Sequence, residues 1–170
     1  MRLGGRIAAA VEILDDMDKR HRPASEALKD WGLSHRFAGS GDRAAIGNLV
    51  YDVLRRKLSL GWRMGADDHA ALVFGALLDG WSETAQSLAG KLEGDRFAPA
   101  LPSQDSLARF ISASLEDAPL HIQADIPQWA SGHLGSVFGD SFAAEGRALS
   151  ERPPVDLRAN RLLSSREKVL

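Results

Sequence analysis

Residues 40–60 read SGDRAAIGNLVYDVLRRKLSL, and the spacing of their apolar members decides the fold class. Ile46, Leu49, Val50, Val53 and Leu60 recur at steps of three, four and seven. At 100° per residue they share one side of a helix. Ser40 suits the N-cap of that helix, which the pattern runs from about Asp42 to Leu60. The opposite arc, about 100° wide, gathers Asn48, Asp52, Arg55, Arg56, Ser59 and Arg63. Lys57 falls on the apolar side, so either it snorkels near the helix end or the helix bends there.

The same period extends in both directions. Leu3, Ile7, Ala10, Val11, Leu14 and Met17 make residues 3–19 an amphipathic helix. Pro23 suits the first turn of a second helix that ends near Gly32, and Phe37 to Gly41 reads as a loop. Beyond the central helix, Asp67 or Asp68 opens a segment that is apolar on nearly every side through Ala71, Leu72, Phe74, Leu77 and Leu78. Such a helix belongs in the middle of the core. Ser82 is expected to cap a further helix, and Ser103 or Asp105 to start another. Two short helices follow, Pro127 to Phe138 and Ser141 to Leu149, separated by Gly139-Asp140. Pro153-Pro154 ends the helical pattern. Val155 to Ala159 alternates like a strand, and Ser164 with Glu167 fits a capping box. A lone strand cannot satisfy its own backbone, so residues 151–170 read as the start of a second domain.

Composition narrows the function. With 170 residues, 44% hydrophobic and 26% charged, the chain is a globular domain that needs no staples. It has no cysteine, which removes disulfides, thiolate metal sites and cysteine nucleophiles together. The apolar run Ile7 to Val11 stops at Glu12, so no signal peptide is read. Ala70 to Leu78 is far short of the roughly 20 residues that span a bilayer. No membrane partner is expected, and a cytoplasmic location is. Charge is uneven: residues 1–66 hold 12 Lys/Arg against 8 Asp/Glu, while residues 67–150 hold 4 against 12. A basic first third suits a polyanion on one face only.

Catalytic constellations are missing from the pattern. His21, His35, His69, His121 and His133 lack paired metal-ligand spacing, and no metal site is expected. Asp15, Asp16 and Asp18 precede no calcium loop and read as solvated charges. Gly39-Ser40-Gly41 is too short for a phosphate cradle. The arginine arc is the better candidate, because guanidinium groups beside an asparagine can meet phosphates and base edges. Arg36 and Arg43 flank the helix start, and Arg2 and Arg6 open the first helix. Asp42 and Asp52 lie inside this patch and oppose strong non-specific binding.

The run from Arg36-Phe37-Ala38-Gly39-Ser40-Gly41-Asp42-Arg43 to Leu54-Arg55-Arg56 resembles the second block of NusB-type helical domains. It is closest to that domain at the N-terminus of Sun-family ribosomal RNA cytosine-5 methyltransferases. Ile126-Pro127-Gln128-Trp129, Phe138-Gly139-Asp140 and Pro154-Val155-Asp156-Leu157-Arg158-Ala159-Asn160 follow in the family's order, the last resembling its P-V-D-L-R-V-N strand. Residues 60–120 match in helical pattern alone. Gly41 stands where the family often has a basic residue, Ala159 replaces a valine, and Arg161 and Leu163 replace the common threonine and lysine.

The resemblance implies an all-α NusB-like RNA-binding domain over residues 1–120. Residues 121–170 would be connecting helices plus the short α/β start of a truncated methyltransferase region. S-adenosylmethionine and two catalytic cysteines belong to the family's later domain, so this chain holds no cofactor and is expected to be inactive alone. The expected function is recognition of small-subunit ribosomal RNA for that catalytic domain, through Arg55, Arg56 and Arg63, with Asn48 on the same stripe and Arg36, Arg43, Arg2 and Arg6 as further contacts. Arg158 and Arg161 would form a second RNA surface or guard a strand edge. The alternative is a NusB-class adaptor that binds RNA and a protein in transcription antitermination. A third reading gives the domain a packing role against its own catalytic domain through Trp129, Leu134 and Phe138.

Overall fold

The computed structural model describes residues 1–154 and 156–169. Among them every regular element is helical: α1 (Leu3–Arg20), α2 (Ala24–Ser34), α3 (Ser40–Arg55), α4 (Lys57–Met64), α5 (His69–Gly80), α6 (Ala85–Leu92), α7 (Gln104–Ser112), α8 (Leu120–Gln123), α9 (Gln128–Phe138), α10 (Phe142–Ser150) and α11 (Arg166–Val169), with short 3-10 turns at Leu115–Asp117 and Gly139–Ser141. No helix among these residues is long and apolar enough to cross a membrane.

The core is built around α5, as its all-round apolarity requires. Residues 71–77 are all buried, and α1, α3 and α4 pack on them. Ile7, Ile13, Ile46, Leu49, Val50, Val53, Leu60 and Met64 interlock there with Leu72, Phe74 and Leu77. Gly75 lets α4 approach, since a Cβ at that position would lie 3.1 Å from Met64 Cγ. Asp68 caps α5 by accepting from the Ala71 amide at 3.0 Å, and Ser103 caps α7 through the Ser106 amide at 3.1 Å. A second, smaller cluster of Ala124, Ile126 and Phe142 is covered by Ala130, Leu134 and Phe138. It depends on Gly146, where a Cβ would stand 2.4 Å from the Ala124 carbonyl oxygen.

Four expectations are corrected. First, the central helix breaks: Arg56 leaves helical geometry at φ −127°, separating α3 from α4. The break is stabilised from outside the segment, because Asp125 Oδ1 accepts from the Leu58 and Ser59 amides at 3.0 and 2.9 Å. These are donors that an N-cap residue satisfies, here supplied from 66 and 67 residues away. Lys57 therefore lies beyond the bend, exposed, 3.8 Å from Asp18. Second, Ser40 is the first helical residue and Gly39 holds the cap position, with no side-chain bond. Third, Thr84 caps α6 in a capping box with Ser87, while Ser82 sits at φ +55° before it. Fourth, Asp156 to Ala159 form no strand, and Val155 lies outside the described residues. The single turn α11 starts at Arg166, one residue later than a cap at Ser164 would place it.

Candidate nucleic-acid interface

The two ends of α3 treat their arginines differently. At its start, α2 finishes with Ser34, whose hydroxyl donates to the Asp30 carbonyl at 2.9 Å. The His35 amide bonds the Trp31 carbonyl at 2.9 Å, and the His35 ring stacks on Trp31 with centroids 4.2 Å apart. The Ala38 amide then bonds the His35 carbonyl at 3.0 Å. That bond closes a turn with Arg36 and Phe37 at its corners. Ala38 is 2% exposed and anchors the turn inward, while Arg43 Nε donates to its carbonyl at 2.9 Å. Phe37 stands 74% exposed, its ring roughly perpendicular to that of His35.

Charges collect around this turn. Arg6 donates to Asp42 at 2.9 Å and the terminal ammonium of Met1 reaches the same carboxylate at 3.1 Å. Those contacts, Arg6 first, hold the Asp42 carboxyl below its ordinary value. Asp42 is thus neutralised within the patch. Arg2, Arg36 and Arg43 are exposed and make no ion pair among the described residues. Lys29 on α2 shares a groove with Arg43.

The other end is internally committed. Arg56 pairs with Asp79 at the end of α5, and Arg63 donates to the same carboxylate at 2.6 Å. Arg63 also donates to the Phe110 carbonyl at 3.1 and 3.3 Å and lies 3.8 Å over the Phe110 ring. Asp52, 5% exposed, accepts from Trp81 Nε1 at 3.0 Å, from Arg55 at 3.3 Å and from Arg152 at 2.6 and 3.1 Å. Arg55 in addition faces the Tyr51 ring at 5.7 Å. Asn48 is exposed and lines, with Asp52, Arg56, Trp81 and Arg152, an open groove of about 730 Å³.

The break at Arg56 means that the stripe does not continue as one helical arc to Arg63. Asn48, Asp52 and Arg56 do share a groove, whereas Arg36, Arg43, Arg2 and Arg6 belong to the opposite end of α3. The sequence reading missed Asp79, Trp81, Arg152 and Asp125, which carry no local signal because their partners are distant in the chain. It also passed over Phe37, whose position between cations in a loop was visible.

The acidic residues of α1 are tied down as well. His69 meets Asp15 at 2.6 Å and Asp18 at 3.0 Å, and the bond to His69 is the main cause that lowers the Asp15 pKa. Asp16 receives Arg20 at 3.0 Å and also Arg22, which reaches on to Asp30. The expectation of simply solvated charges is therefore corrected: these carboxylates link α1 to α2 and α5. Among the described residues no cluster of three or more His, Asp or Glu is arranged to hold a metal ion. Comparison of the chain with known protein families, curated proteins and solved structures gives no match.

Proposed function

We propose that this chain is the RNA-recognition module of a ribosomal RNA cytosine-5 methyltransferase, with a NusB-like helical domain that holds small-subunit ribosomal RNA for a catalytic domain outside it. The observation that carries the reading is the pair of exposed cations at one pinned turn, Arg36 at its corner and Arg43 bonded to it, with the nearby carboxylate Asp42 already neutralised by Arg6. Cations without internal partners are available to phosphates; those with buried partners would have to break existing bonds first. The weight of the contact therefore falls on Arg36 and Arg43, supported by Arg2 and Arg6, with Asn48 as an outlying contact. S-adenosylmethionine chemistry does not fit the residues of this chain, which has no cysteine and no glycine-rich cofactor loop. Its own residues bind and orient.

The test is titration with fragments of small-subunit ribosomal RNA across a salt series. Salt-sensitive binding that selects among fragments supports the proposal, and its absence at low salt overturns it. One observation favours a second reading, a packing surface for an adjoining domain. On α9, Trp129 is 83% exposed and Val137 lies about 80° around the helix from it, also exposed. Leu134 and Phe138, expected to share that surface, are instead turned into the smaller cluster. Under that reading Trp129→Ser leaves RNA affinity intact and weakens attachment of the adjoining domain.

A further inference from the structure

We infer that Phe37 is a base-stacking platform, so that the nucleic acid met at this end of α3 presents unpaired nucleotides there and not a duplex. The inference rests on the RNA reading above and adds the form of the ligand.

An exposed apolar side chain is by itself ordinary. Phe37 differs in how it is held. Its turn is pinned at both sides, by the buried Ala38 and by bonds from Ala38 N to His35 O and from Arg43 Nε to Ala38 O. His35 is in turn stacked on Trp31 and meets Phe37 edge to face at 5.7 Å and 79°. Three rings thus run outward from the buried Trp31, and the last one stands 74% exposed. A ring kept for packing would be covered, and a mobile loop would lose its orientation.

The neighbours complete the case. Arg36 is the other corner of the same turn, and Arg43 keeps its terminal nitrogens free of bonds among the described residues while Nε holds the turn. The two helices joined by the turn wall a groove of about 360 Å³ whose lining mixes apolar Leu28 and Leu33 with Lys29 and Arg43. An aromatic face between cations, beside an amphipathic groove, matches how single strands are held: bases stack on rings while the backbone follows positive charge. Bases inside a duplex offer no free face to such a ring.

The experiment uses the full chain and a ten-nucleotide single-stranded RNA carrying 2-aminopurine, together with the same strand annealed to its complement. Binding of the single strand should change the 2-aminopurine emission as the base stacks. Phe37→Leu should weaken that binding by about tenfold, with the salt slope unchanged. Phe37→Trp should retain affinity. Arg36→Gln with Arg43→Gln should lower the slope by about 1.4, the expectation for two lost phosphate contacts on a single strand. Phe37 and Arg36 are exposed, so both Phe37 variants should keep the wild-type melting temperature, while the arginine variant, which gives up the Arg43 bond to the Ala38 carbonyl, should melt slightly lower and is titrated where it is fully folded. If Phe37→Leu binds like wild type while the arginine variant loses affinity, stacking is wrong and the RNA reading stands. Tighter binding of the duplex than of the single strand would also overturn it. Failure of wild type to bind either form overturns both.

Discussion

At the C-terminal end of α3 the guanidinium groups of Arg55, Arg56 and Arg63 finish on Asp52, Asp79 and the Phe110 carbonyl. At its N-terminal end Arg36 and Arg2 finish in solvent, and Arg43 spends a single nitrogen on the chain itself. The residue type is the same, and what separates the two ends is the supply of carboxylates. Asp79 and the peptide carbonyl of α7 are brought to the far end by tertiary packing and Asp52 stands one turn before Arg55, whereas Asp42 at the near end is already shared by Arg6 and the Met1 ammonium. A cation's availability is thus a property of its partners, which for Arg56 and Arg63 lie far away in sequence.

Breaking the far end should cost stability first. Asp52→Ala removes a buried carboxylate and strands the Trp81 N–H and Arg152, so urea unfolding should show a loss of about 3 kcal/mol. Arg152→Ala should cost less, about 1 kcal/mol, because its own side chain is half exposed and solvent screens the pair. Arg63→Ala should lose about 2 kcal/mol through its carbonyl bonds, its Asp79 pair and its contact with the Phe110 ring, read in the same assay.

The hinge between the two ends gives a smaller and pH-dependent effect. Asp125→Ala should cost about 1 kcal/mol by leaving the α4 amides uncapped. Asp125→Asn keeps an accepting oxygen. Burial raises the Asp125 pKa above 3.8, against the opposing bonds from Ser59 and Leu58. The contribution of a group raised in this way is full below its unfolded pKa and is lost as pH rises through its folded pKa. Relative to wild type, Asp125→Asn should therefore gain stability between pH 4 and pH 7, measured as urea midpoints at both values. An unchanged difference would remove burial as the cause. Smallest of all should be the stability effect of Arg36→Gln, within about 0.5 kcal/mol, as expected of a surface group.

Much of this architecture was readable because it is local. The apolar ring of α5, the Asp68 and Ser103 caps and the Gly139 break all declare themselves within a few residues. The division of α3 from α4 shows only as Lys57 on the apolar side of the arc, which leaves a snorkelling side chain and a bend as equal readings. Leu54-Arg55-Arg56-Lys57-Leu58 contains no glycine or proline, and its side chains favour helix. The break exists because Asp125, held at φ +51°, supplies a cap across the tertiary interface. Thr84 replaced Ser82 as a cap for a related reason: the chain takes a positive φ at Ser82 and the capping box needs Ser87 three residues after its start. In the candidate site, residue types were legible and availability was not. Arg55, Arg56 and Arg63 looked the stronger set by spacing, yet Asp79 and the Phe110 carbonyl, which engage Arg56 and Arg63, come from other elements, and only Asp52, three residues before Arg55, is local. Phe37 needed only a reading of the loop as a presenting turn.

On the proposed function, RNA is met by the solvent-facing end of α3 and not by the committed end. The most direct measurement compares salt dependence of single-stranded RNA binding for wild type, for Arg36→Gln with Arg43→Gln, and for Arg56→Gln with Arg63→Gln, each held where it is fully folded. The account predicts a lower slope and weaker binding for the first pair, with the second pair close to wild type. The reverse pattern, a lowered slope in Arg56→Gln with Arg63→Gln alone, would contradict it.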